Sequence, residues 1–211
     1  MVIDQRVRMS SILPQNRLEC IAKIWDAFHS CPRPAPELLS PDGGIDGPYV
    51  HRNWGHLTRD DVEALEAFGA YLAEDITYMS SVAFRYFVPS VMVLFLSRPA
   101  SIDSEGFISL VSRCESAFLC RSDGSTFGQI AVTKPQADAF RDWFGQLMTI
   151  IREFDLGLFE YDYMNRLRAL RARLGSFTPD TDYDAVTIQT IRQRRFGRNI
   201  TQRGTRSNRR G

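Results

Sequence analysis

The sequence predicts a mainly α, single globular helical domain of about six helices, carrying a disordered basic C-terminal tail. Three observations predict it. Apolar residues recur at i, i+3, i+4 and i+7 over most of the chain, and few segments alternate with the period of a strand. Of 211 residues, 44% are apolar and 11% aromatic, enough to build a core without covalent staples. Charge is also segregated: Arg192, Arg194, Arg195, Arg198, Arg203, Arg206, Arg209 and Arg210 stand in a stretch with no acidic residue. The remainder holds 18 basic against 25 acidic side chains, so the net charge of +1 hides an acidic body. The boundaries expected are an extension over 1–16, a helical domain over 17–178, and a linker with basic tail over 179–211.

The first helix is expected from Arg17 to Phe28, where Leu18, Ile21, Ala22, Trp25 and Phe28 share one face. Cys31-Pro32-Arg33-Pro34-Ala35-Pro36 ends it, because proline excludes a helix interior and favours extended backbone before it. Gly43-Gly44 and Gly47-Pro48 read as turns, so a long loop is expected to run on past His51 and His56. Thr58 is the next N-cap, with Asp60, Asp61 and Glu63 suited to the positive helix end. Val62, Leu65, Phe68 and Leu72 form the buried stripe of that helix.

The stretch from Met79 to Leu96 approaches the length of a membrane span. Arg85 and Pro89 interrupt it and three serines dilute it, so a buried pair of helices, or one kinked helix, is expected. Ser90 to Leu96 is apolar all round and is placed at the centre of the core. Asp103–Leu119 follows as an amphipathic helix with Phe107, Leu110, Val111, Cys114 and Phe118 inward. Thr133 with Gln136 makes a capping box, and Pro135 fits a first turn. Phe140, Trp143, Phe144, Leu147, Ile150, Ile151 and Phe154 then share one face. A last helix from about Phe159 to Leu174 is amphipathic and rich in arginine, and is expected to pack on the core while its arginines reach along the edges.

No nucleophile elbow and no phosphate-cradling glycine loop occurs. Neither the histidines nor the cysteines have the spacing of a zinc site, so no metal and no cofactor is expected. Cys20, Cys31, Cys114 and Cys120 follow no secretory segment and read as reduced cytoplasmic thiols. Asp60-Asp61-Glu63-Glu66 and Glu74-Asp75 read as solvated faces. An arginine inside an apolar helix needs a partner or water, so Arg85 and Tyr86, with Arg33, His51 and His56, form a candidate pocket for an anion or a partner. The eight tail arginines are the candidate polyanion-binding residues, with weak, sequence-blind and salt-sensitive binding expected.

Three blocks resemble an uncharacterised bacterial family, a domain of unknown function. They are Ala27-Phe28-His29-Ser30-Cys31-Pro32-Arg33-Pro34, Ser81-Val82-Ala83-Phe84-Arg85-Tyr86-Phe87-Val88-Pro89-Ser90, and Thr133-Lys134-Pro135-Gln136-Ala137-Asp138-Ala139-Phe140. The resemblance implies a bacterial helical domain and carries no activity over. The expectation is a non-catalytic, immunity-like or regulatory protein with an unknown protein partner. The alternatives are nucleic-acid association through the tail, and an enzyme whose site lies under the proline-rich loop near Arg85.

Overall fold

The computed structural model describes residues 13–40, 46–66, 68–99, 104–118, 130, 132–154 and 160–176. The expected basic tail and N-terminal extension lie almost wholly outside these. Among the described residues the chain forms eight α-helices. They are α1 (Gln15–Phe28), α2 (Gly47–Trp54), α3 (Arg59–Ala64), α4 (Ala70–Tyr78), α5 (Ser81–Ser97), α6 (Ser104–Phe118), α7 (Lys134–Phe154) and α8 (Glu160–Gly175). A 3-10 turn at Pro36–Leu38 lies between α1 and α2. The mainly α domain is as expected, and the two additional helices come from segments that read differently in the sequence.

The first is α2. Gly47-Pro48 opens a helix here instead of a turn, with proline in the first turn, where its missing N–H is no loss. Val50 and Trp54, one turn apart, are fully buried and hold this short helix to the body. His51 therefore stands on a helix, and only His56 lies in the connection that follows. The second is the division of the expected Thr58 helix. Thr58 does cap it, in a reciprocal box with Asp61, but α3 ends at Ala64 and α4 begins at Ala70. Phe68 is buried between the two, so the apolar spacing survives across a break in the backbone.

The core is arranged around α5. Residues 87–96 are all buried, which bears out the placement of this segment at the centre. Pro89 sits inside a helix that continues through it. Burial on every side outweighs the lost backbone bond, an effect of about 3 kcal/mol in an exposed helix. Helices α1, α3 and α7 pack against α5, while α2 lies on α4, α4 on α6, and α8 on both α6 and α7. The Trp143 indole donates to Met92 O at 3.2 Å, fixing α7 on α5. Thr133 and Gln136 make the expected capping box at the start of α7. Arg17 pairs with Glu153, and Lys23 with Asp142, joining α1 to α7.

Arginines close the remaining ends. The buried Arg113 donates to Met79 O at 2.9 Å, capping the C-terminal end of α4. Arg173 does the same for α6 through Phe118 O. Arg166 grips Glu115 through two parallel bonds of 2.8 and 2.6 Å, tying α8 to α6. Leu167, Leu170 and Leu174 are fully buried and Arg168, Arg171 and Arg173 exposed, so α8 packs as expected of it.

Candidate functional site

The face built by α2 and α4 differs from the rest of the surface. Along α2, burial of Val50 and Trp54 turns Tyr49, His51 and Arg52 outward. Along α4, burial of Ala73 and Ile76 turns Tyr71, Glu74 and Tyr78 outward at i, i+3 and i+7. Tyr49 (48% exposed), Tyr71 (83%) and Tyr78 (37%) are the exposed large hydrophobic side chains of the described residues, and all three stand on these two helices.

The helices run antiparallel. The start of α2 lies at the end of α4: a Cβ on Gly47 would meet Ser40 Oγ at 3.4 Å, and that hydroxyl donates to Tyr78 O at 3.1 Å. The end of α2 lies by the start of α4, where Arg52, Asn53, His56, Tyr71 and Leu72 line an open cleft of about 420 Å³. Between these points Asn53 Nδ2 donates to Asp75 Oδ2 at 2.7 Å and sets the register.

Asp75 corrects the reading of Glu74-Asp75 as a solvated pair. Glu74 is exposed, but Asp75 is only 5% exposed. Burial pushes its carboxyl above the ordinary aspartate value of 3.8, and the bond from Asn53 opposes that shift in part. The buried Trp54 indole N–H makes no hydrogen bond of ordinary geometry among the described residues, yet it too opposes the rise of this carboxyl. With its amide nitrogen held by Asp75, Asn53 turns Oδ1 to Arg52 Nε, 3.4 Å away. The Arg52 guanidinium also lies 5.0 Å from the Tyr49 ring centroid. The arginine is thus positioned between an amide and an aromatic face, with the rest of its fork open to solvent.

The five pocket candidates from the sequence divide between regions. His56 lines the cleft, and His51 is exposed on α2. Arg33 donates to Gly55 O and Leu57 O, at 3.1 and 3.2 Å, and clamps the proline-rich segment to the connection after α2. Arg33 and His56 both help hold the Asp61 carboxyl below its ordinary value, although its bonds from Thr58 are the larger cause. Arg85 and Tyr86 belong to α5, where Arg85 is partly buried. The Tyr86 ring lies under the Arg59 guanidinium at 4.6 Å, and Arg59 Nε donates to Tyr86 O at 2.7 Å. Arg59 also bonds Phe28 O and Cys31 O, so Tyr86 belongs to a structural knot. The tail arginines lie outside the described residues.

Tyr49, Arg52, Tyr71, Tyr78 and Asp75 are not marked as site residues by the sequence. Among the described residues no group of three His, Cys, Asp or Glu side chains is placed to hold a metal ion. Cys20, Cys31 and Cys114 are free thiols. Burial pushes Cys20 up to about 12 and Cys114 higher still, which leaves both unreactive. No described helix is long and apolar enough to cross a membrane.

Fold and surface together define a helical domain presenting a tyrosine and arginine face. No family model matches the chain, and no curated protein and no solved structure matches it either.

Proposed function

We propose that the chain is a non-catalytic interaction protein, cytoplasmic and bacterial, that binds a protein partner through the face of α2 and α4. One observation carries this reading: the exposed large aromatic side chains of the described residues, Tyr49, Tyr71 and Tyr78, all lie on one pair of packed helices. Tyrosine and arginine are, with tryptophan, the residues enriched where binding energy concentrates in protein interfaces. Tyrosine supplies a large contact area at little cost in side-chain entropy, and its hydroxyl tolerates water in the unbound state. The Arg52 guanidinium is already positioned by Tyr49 and Asn53, so little freedom is lost when a partner engages it.

The test is a photo-cross-linking amino acid placed at position 71 of the full chain in producing cells, with position 168 of α8 as the exposed control. A discrete adduct is expected at 71 and none at 168. Equal yields at the two positions, or none at 71, would remove the case for this face.

A further inference from the structure

We propose that the occupant of this face is a second copy of the chain, joined about a two-fold axis running along α2 and α4. The inference rests on the reading of the face as an interface. Its first support is charge complementarity of the face with itself. Arg52 on α2 and Glu74 on α4 make no ion pair among the described residues, and both are exposed. In a two-fold interface a residue i that meets j of the partner is matched by j meeting i. A cation on one helix and an anion on its neighbour, each open to a partner, satisfy that condition twice.

The register supplies the second support. The Asn53–Asp75 bond sets these two residues at one height across the helix pair. At about 1.5 Å per residue, Tyr49 and Tyr78 then stand within about 1.5 Å of a common height. Arg52 and Glu74 differ by about 3 Å, which their side chains span. An axis parallel to the helices preserves height while laying α2 of one copy over α4 of the other. Tyr49 then meets a tyrosine and Arg52 meets a carboxylate, with each pairing formed twice. Aromatic pairs and an Arg–carboxylate fork are favourable in each case. The part-buried Asn53–Asp75 bond keeps both helices in the alignment that this matching needs.

The experiment is sedimentation velocity of the full chain over a concentration series, with Arg52→Glu, Glu74→Arg and the double exchange alongside. A concentration-dependent dimer is expected for the natural chain. Each single exchange should weaken it at least tenfold while the helical circular-dichroism signal of the dilute chain stays that of the natural one, since both side chains are exposed. The double exchange should restore it. An equimolar mixture of the two single variants should also associate. One variant then carries carboxylates at both positions and the other guanidinium groups at both, so opposite charges face each other at each contact.

A natural chain that stays monomeric, a dimer indifferent to both charges, or single losses restored by neither the double variant nor the mixture would each overturn the proposal. The cross-link at position 71 separates this failure from that of the broader reading. An adduct of twice the chain mass agrees with the second copy. An adduct with a different protein removes the second copy and leaves the interface, while no adduct removes both.

Discussion

The Phe28 ring meets the Phe140 ring edge to face, with centroids 5.7 Å apart and planes at 85°. Phe84 stacks on the same Phe140 at 6.3 Å. Phe118, Trp143 and Phe144 complete the surround at 5.1, 6.4 and 6.1 Å. Each of the three sequence blocks that stand out in the chain contributes one ring: Phe28, Phe84 and Phe140. These blocks therefore meet in the core, where α1, α5 and α7 converge. Their neighbouring polar residues serve the same junction, since Gln136 Nε2 donates to Cys31 Sγ at 3.3 Å.

Phe140→Ala empties the point where these rings converge. The expected loss is about 3–5 kcal/mol, because a buried phenyl leaves a cavity that the surrounding rings cannot fill without leaving their rotamers. Denaturant unfolding measures it. A loss below about 1 kcal/mol would show that the ring is not enclosed as described.

Arg59→Lys is expected to destabilise the chain by about 1–3 kcal/mol. The guanidinium serves Tyr86 O, Phe28 O and Cys31 O at once, at 2.7, 3.1 and 3.3 Å. An ammonium group cannot reach the three carbonyls from one position while covering the Tyr86 ring. Hydrogen exchange should quicken at the Cys31 amide, whose bond to Phe28 O closes the turn after α1. Unchanged exchange there would count against the knot.

Asp75→Asn tests the buried carboxyl through pH. Its folded-state value is raised above 3.8 by burial. A raised carboxyl favours folding most below the unfolded value and loses that contribution as pH climbs through the folded value. Asparagine has no such dependence and can still accept from Asn53. The melting temperature of the variant, relative to the natural chain, should therefore rise with pH from about 4 upward and then level off. A constant difference across that window would mean that the carboxyl is not desolvated.

Two glycines should respond in opposite directions. Gly145 lies inside α7, and a Cβ there would meet Arg171 Cζ at an ordinary 3.6 Å. Gly145→Ala is expected to stabilise by about 0.5–1 kcal/mol through the unfolded chain. A Cβ on Gly55 would stand 2.4 Å from His51 O, a backbone atom that cannot swing aside. Gly55→Ala should lower the melting temperature and disturb the end of α2. Paired thermal melts decide both.

What is legible in the sequence follows from how each signal arises. Helix α7 is readable from end to end because its cap, Thr133 with Gln136, and its stripe through Phe140, Phe144, Leu147 and Ile151 are written locally. Helix α2 is not, because its apolar pattern amounts to Val50 and Trp54 and its opening Gly47-Pro48 is equally the signature of a turn. The break between α3 and α4 is hidden since Leu65, Phe68 and Leu72 keep helical spacing across it. Gly69, the N-cap of α4, is the local clue to it.

The candidate face inherits both losses. Tyr71 and Tyr78 declare themselves as exposed only once Ala73 and Ile76 are known to be the buried side of α4. Asp75 is buried by α2, so its burial is unreadable from a sequence in which 47–56 has the marks of a loop. His56 is legible because histidine marks itself by type.

The packing of α1 on α7 also bears on how the chain is made. Phe28 leaves the ribosome about 110 residues before Phe140. At about 5–20 residues per second, that is an interval of roughly 6–22 s in which Ile24 and Phe28 wait for α7. Helix α5 arrives much sooner and also packs on α1. Synthesis order thus favours an early docking of α1 on α5, with α7 closing last over both. The salt links of Arg17 and Lys23 to Glu153 and Asp142 belong to that later step, so they cannot guide the first docking.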